Sequence, residues 1–447
     1  MRRPFWSSSI LLTAALLTGV MTPIVAQEPP RTLPPSITGT PAPAVPPVSP
    51  ASGVQTQTTA AAPAARFQNL QAFPPETVRA VYSASAGANW LSRMNQASGR
   101  FLPGLDPALR TPVAIDHDLR QAFAARALAE AARFTGQEEF AARSTQAVLA
   151  LLSRTKLDSA DPTRRVPVAP SQDCNRVGFA AVLAMAVYAL PNTDAKLTTQ
   201  AEEMCAFLRS RVGADGAVQT TDQPNDPAAR SDPDTVNLYP GLTIQALAAS
   251  QRARPDAGKL AVLAKAIGYY RGVFKAQPSA LMAAALLPGV ADFCLQTRDS
   301  TAAATVVELA DYMCGCQYTR TDARSPAWVG GFRPGQQSTQ SGTEPGVESA
   351  RCAGALVSAV QVTRQIAPDQ ARFQRYRQSA VDGLAFARRL QFSDENADHF
   401  EKGFRARFLT GGVHLSLTDG TLRIDATAHL VTAQLAFLQS GAEVTQE

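Results

Sequence analysis

Residues 327–362, AWVGGFRPGQQSTQSGTEPGVESARCAGALVSAVQV, constrain what this chain can fold into more than any other stretch. An aromatic and a double glycine lead through a polar loop and a Pro-Gly step into a helix made largely of small residues. Gly330-Gly331 opens backbone angles closed to other residues, and Pro345 is tolerated only in a first helical turn, so the loop is expected to end there. The helix beyond carries Ala350, Cys352, Ala353, Gly354, Ala355, Ser358 and Ala359. Short side chains on more than one face let other backbones approach from several sides, which is the profile of a helix enclosed by its neighbours.

The habit recurs along the chain. Helices are expected from about Pro74 to Ala97, Asp116 to Phe134, Gln137 to Ser153, Asn175 to Leu190, Asp194 to Val212 and Asn237 to Ser250. Further helices are expected over Lys259 to Phe274, Ala280 to Leu295, Thr301 to Cys316, the unit above, Pro368 to Leu390 and Ala426 to Leu438. Amphipathic helices alternate with small-apolar ones, which the spacing of their apolar residues separates. Phe404 to Ile424 reads as extended, with an Asp419-Gly420 hairpin signal. Gly99, Gly216 and Gly331 stand at equivalent places before the second, sixth and tenth helices, about 116 residues apart, or twice a hairpin of about 58.

Six hairpins in which one helix faces solvent and its partner is buried on several sides make an all-α fold, an (α/α)6 toroid. On this layout, and on phrases such as Tyr239-Pro240-Gly241 and Gly330-Gly331-Phe332, the chain resembles the six-hairpin glycosidases, polysaccharide lyases, sugar epimerases and terpenoid or lanthionine cyclases. It carries no catalytic motif specific to any one of them. An open solenoid is the rival architecture, but its hairpins usually run near 34 to 47 residues.

The N-terminal part is different. Residues 1–27 hold Arg2 and Arg3, an apolar run from Ile10 to Val20 and a small-residue exit near Ala26, the layout of a signal peptide, of the Sec rather than the twin-arginine kind. That run is too short for the roughly 20 residues that span a bilayer, so no membrane span is expected after cleavage. Residues 28–65 are Pro, Ala, Thr, Ser and Val with almost no charge, a composition that cannot bury enough surface to order itself. The toroid is assigned to residues 66–441 and a short tail to 442–447. Export to the periplasm, envelope or medium follows from this layout.

With 42 basic and 37 acidic residues scattered along the chain, a nucleic-acid site is excluded. Six cysteines in an exported chain permit disulfides, and a bridge from Cys352 to Cys316 or Cys314 is the plausible pair. No histidine adjoins a cysteine and Cys314-Gly-Cys316 is too tight for zinc, so neither metal nor other cofactor is called for. The acids of the 222–234 loop are read as turn chemistry rather than a calcium site. The sequence leaves the oligomeric state open.

In such a ring the inner helices begin at one rim. The projection gathers Asp116, His117, Asp118 and Arg120 from the second helix, Asp173, Asn175 and Arg176 from the fourth, and Asp234, Asn237 and Tyr239 from the sixth. The tenth adds Glu344, Glu348 and Arg351, and the twelfth adds Arg423, Asp425 and His429. Asp116, His117, Glu348 and Asp425 are the expected catalytic residues, because opposed carboxylates are what glycoside cleavage needs. Arg120, Arg176, Asn237, Tyr239, Trp328, Phe332, Arg351 and His429 are the expected substrate contacts, the aromatics (with Phe101) offering flat faces to a sugar ring. Glu348 and Asp116 are expected to face the central cavity together, tuned by Arg351 and His117. The competing account is that acids at helix starts are only caps. The leading function is a carbohydrate-active enzyme, hydrolase or lyase, acting on a polysaccharide; the alternative is a non-catalytic envelope protein that binds a polymer or partner with the same rim.

Overall fold

The computed structural model describes residues 63–170, 173–223, 232–333 and 342–442, so the expected signal peptide and nearly all of the spacer lie outside the described residues. Twelve helices of 14 residues or more form its body. They are α1 (Pro75–Met94), α2 (Asp118–Thr135), α3 (Glu138–Leu152), α4 (Arg176–Ala189), α5 (Ala195–Ser210) and α6 (Tyr239–Ala253). The second half comprises α7 (Ala257–Ala276), α8 (Ala280–Thr297), α9 (Ser300–Cys316), α10 (Glu348–Gln365), α11 (Gln370–Arg389) and α12 (Ile424–Gln439).

Composition decides which helices go inside. In α4, 12 of 14 residues are buried, against six of 20 in α7, because α4 is apolar all round and α7 on one face only. Each even-numbered helix packs on the next, α2 on α4 and so on to α12, which returns to α2. The odd-numbered helices lie outside, α3 on α2, α5 on α4, α7 on α6, α9 on α8, α11 on α10 and α1 on α12. The last hairpin is therefore made from the two ends of the chain, and the fold is a closed (α/α)6 toroid. A buried polar network seals that joint: Gln434 Nε2 donates to Ser83 Oγ at 2.8 Å, and Gln391 Nε2 donates to Ser83 O at 3.1 Å. α8 alone among the described helices is long and apolar enough to cross a membrane, and here it is enclosed in the inner ring.

The chain leaves an outer helix and reaches the next inner one by the same device four times. Gly99, Gly216, Gly330 and Gly411 have φ of 83°, 96°, 90° and 95°, left-handed values that favour glycine. Two residues beyond each, the backbone bridges back to the end of the preceding helix, in the pairs Phe101–Asn95, Val218–Val212, Phe332–Gln317 and Val413–Gln391. A Cβ would lie 2.8 Å from Gln146 O, 2.4 Å from Lys265 O, 2.4 Å from Asp382 O and 2.1 Å from Ala86 O, so each glycine is pressed against another outer helix. Gly330, not Gly331, is thus the equivalent residue. Gly411 is a fourth that a fixed spacing misses, because the loops between differ in length.

The long connections, 95–117, 153–175, 211–238, 317–347 and 390–423, all lead into the starts of inner helices, four of them through these returns; only 277–279 is short. Two small sheets lie on the same connections. One has the order β2 (Thr111–Pro112), β1 (Gly104–Asp106), β5 (Leu422–Arg423); the other pairs β3 (Thr155–Leu157) with β4 (Arg165–Pro167). The stretch expected to be extended from Phe404 instead begins helically, over Lys402–Phe404 and Arg405–Leu409. Its phenylalanines at 400, 404 and 408 recur at helical spacing and pack on one another.

No disulfide forms. All six cysteines are free, against the expected bridge to Cys352. Burial inside the ring pushes the Cys352 thiol up to about 12, which removes the thiolate that exchange requires.

Candidate active site at the long-loop mouth

The starts of α2 and α4, with the loops before them, enclose an open pocket of about 410 Å³ lined by Arg100, Asp116, His117, Asp118, Arg154 and Asp173. Asp118, the first residue of α2, is buried and accepts from Arg100 Nη1 at 2.8 Å and Arg154 Nε at 3.3 Å. Asp116 accepts from Arg100 Nη2 at 2.7 Å and Gln121 Nε2 at 2.9 Å. Asp173 enters from the α3–α4 connection, is exposed, and its carboxylate has no hydrogen bond or ion pair with the described residues. His117 holds a buried Nδ1 that has no partner among those residues. Burial, then the Arg120 charge, lowers the pKa of its imidazole.

Towards the ring axis the charges are tightly paired. Asp425 accepts from Arg423 Nε at 2.9 Å and lies 3.8 Å from Arg120 Nε, reaching from α12 to α2. Burial opposes its charge, but the Arg423 guanidinium prevails and its pKa falls below the ordinary value. His429 sets its ring 4.7 Å from that of Phe123, edge to face, and lines the central cavity with Arg351. That cavity is walled by protein, and burial followed by the Arg351 charge pushes the His429 pKa down to about 3.

On the opposite wall stand Asp234, Glu348 and Arg351. Glu348 is half-buried at the first position of α10, and neither it nor Arg351 makes a hydrogen bond or ion pair with the described residues. Arg351, expected to lie close enough to tune Glu348, makes no ion pair with it. Asp234 has its pKa raised by burial against the pull of Arg351, with Asp232 and Glu348 adding to the rise.

The remaining expectations divide. Arg176 donates to Pro167 O at 2.8 and 3.1 Å and to Asp222 at 3.1 Å, bracing two loops. Asn237 is buried at the end of the short helical turn Asp234–Asn237, and Tyr239 is buried beside Asp232, its phenol proton held by burial and then by that carboxylate. The aromatic platform is corrected: Phe332 is 3% and Phe101 1% exposed, because both are the inward residues of the glycine returns. Trp328 rests on Tyr318 at 5.3 Å, away from the cavities described above. Asp116 is committed to Arg100 and Gln121 on the α2 side and does not pair with Glu348 across the cavity.

Asp118, Asp173 and Asp234 are gathered at the expected rim but given no catalytic or substrate-binding role there, and Arg100 and Arg154 are not anticipated at it. A usable signal was present for the acids, since each lies within a few residues of an inner-helix start. Arg100 follows the first glycine return directly, and Arg154 follows α3.

No family model matches the sequence, and no curated protein matches it. Among solved structures the chain is similar to the unsaturated glucuronyl hydrolase of Bacillus sp. GL1, responsible for degradation of glycosaminoglycan. The TM-score is 0.57 at 14% identity, over 81% of this chain and 98% of that one. It is also similar to an unsaturated glucuronyl hydrolase specific for heparin, with TM-score 0.55 and 14% identity over 80% and 96% of the two chains. A third is the alpha-1,6-mannanase of Salegentibacter sp. HEL1_6, with TM-score 0.55 and 9% identity over 79% and 98%. An inactive variant of that mannanase has been solved with alpha-1,6-mannotriose. All three neighbours are glycosidases with the (α/α)6 toroid, and the likeness is one of fold.

Proposed function

We propose that the chain is an exported glycoside hydrolase that cleaves its substrate in the pocket between the starts of α2 and α4. One observation carries this reading: Asp118 and Asp173 line the same open pocket under opposite restraint. Asp118 is fixed by two guanidinium groups, and Asp173 has no partner among the described residues. Glycoside cleavage uses two such carboxyl groups, one exchanging a proton with the bridging oxygen and one acting on water or the sugar carbon. Asp173 is exposed and held by no neighbouring charge, so it takes the acid/base role. Asp118 takes the positioned role, facing the developing positive charge. The unpartnered Nδ1 of His117 calls for a hydrogen bond that a sugar hydroxyl or water can supply.

Both roles are tested by measuring sugar release from uronyl-terminated oligosaccharides and from alpha-1,6-mannan, the substrate classes of the structural neighbours. Asp173→Asn and Asp118→Asn are each expected to abolish release. A second reading places the chemistry at Asp234 and Glu348, favoured by the raised pKa of Asp234 beside an unpaired carboxylate. Under it Asp234→Asn and Glu348→Gln abolish release while Asp173→Asn does not. A well-folded protein inert on every glycan but retaining glycan affinity would support the binding-protein alternative.

A further inference from the structure

Behind the mouth the ring axis stays open. The central cavity of about 170 Å³ between Phe123, Arg351 and His429 shares Arg126, Gln245, Pro288, Ser358, Thr432 and Ala436 with a second cavity of about 330 Å³ towards the C-terminal ends of the inner helices. The charged groups of this rear cavity are all engaged within the protein. Arg126 Nε lies 2.8 Å from Glu130, Arg252 pairs with Asp292, and Arg133 donates to Tyr188 O at 2.6 Å and Leu190 O at 3.1 Å. Gln245 is engaged too, donating to Ala285 O at 2.7 Å, just before Pro288 interrupts α8.

Four neutral side chains are not engaged. Ser358 and Gln361 of α10 and Thr432 and Gln439 of α12 line the rear cavity and make no hydrogen bond with the described residues. They interrupt inner helices otherwise rich in alanine on this axis. Convergent polar groups without partners, in a space near the lower end of the roughly 300–1,000 Å³ of small-molecule sites, describe a binding pocket. Because the ionic groups are already ion-paired or, for Arg133, hydrogen-bonded to two carbonyls, what remains to be satisfied is neutral hydrogen bonding. We propose that the short-turn end of the ring holds a second, non-catalytic site for a single neutral monosaccharide or polyol. The proposal stands whether or not the mouth is a hydrolase.

The test is saturation-transfer NMR and calorimetry on the full chain with D-glucose, D-mannose and glycerol as probes. Parent protein is expected to bind at least one probe, with binding retained in Asp173→Asn at the mouth. In Ser358→Ala/Thr432→Val binding is expected to weaken at least tenfold, with circular dichroism unchanged. Gln361→Leu, at the half-exposed edge, is the second variant and is expected to weaken binding in the same direction. The proposal is overturned if no probe binds the parent, if binding disappears in Asp173→Asn, or if the folded rear variants bind as the parent does.

Discussion

The two rims of the ring use the same residue type for different work. At the short turns four outer helices begin with an aspartate that caps its own helix. Asp194 accepts from Leu197 N at 2.6 Å, Asp256 from Lys259 N at 2.9 Å, Asp299 from Ala302 N at 2.6 Å and Asp369 from Arg372 N at 2.9 Å. At the long-loop rim the cap positions of α2, α10 and α12 are His117, Val347 and Arg423, and none makes a side-chain cap. The acids there, Asp118, Glu348 and Asp425, stand one or two residues inside the helix. A carboxylate at the cap folds back on free backbone N–H groups; placed later, it projects into loops and cavity while still gaining from the helix dipole. A shift of one or two positions turns a structural acid into one available for pairing or chemistry.

The comparison breaks most visibly at Asp173. Asp173→Asn is expected to lower sugar release by about 10²–10⁴-fold, the usual worth of a positioned acid/base, and to leave the melting temperature nearly unchanged. Asp118→Ala should cost activity and stability together, about 2 kcal/mol by chemical denaturation. That is below the roughly 3–5 of a wholly buried pair, because Arg100 and Arg154 keep access to water. Gly216→Ala should cost roughly 1–3 kcal/mol for the backbone angle alone, and more from the clash with Lys265 O, without altering the KM of what folds.

His429 sharpens the contrast through pH. Its pKa in the folded state, about 3, is below the unfolded value near 6.5, so the unfolded chain binds the extra proton. The neutral ring therefore contributes stability that is full above about pH 6.5 and is lost progressively as pH falls towards 3. His429→Gln should flatten the stability profile across that window, which urea titrations at stepped pH would show. The smallest effects belong to the caps: Asp256→Ala and Asp369→Ala should each cost about 1 kcal/mol and leave catalysis alone.

The ring was legible because alternation between one-faced and all-round apolar helices is a property of local composition. α4 and α8 announce their burial residue by residue. The glycine returns were legible only in part, since Gly411 follows a connection of different length and Gly330 and Gly331 look alike until φ is known. The site was harder. Nothing in the order Asp116-His117-Asp118 says which aspartate meets Arg154, 36 residues further along the chain. Phe332 and Phe101 looked like sugar platforms because aromatic residues beside glycines occur in both surface and core turns; the backbone bridges that turn them inward join residues on either side of each return.

The most direct test of the account is sugar release by the purified domain, with Asp173→Asn and Asp256→Ala made in parallel as one acid from each rim. The account predicts that the parent and Asp256→Ala release product at similar rates from the same oligosaccharide. It predicts that Asp173→Asn, folded and as stable as the parent, releases none above background. Full activity in Asp173→Asn, or equal loss of activity in both variants, would contradict it.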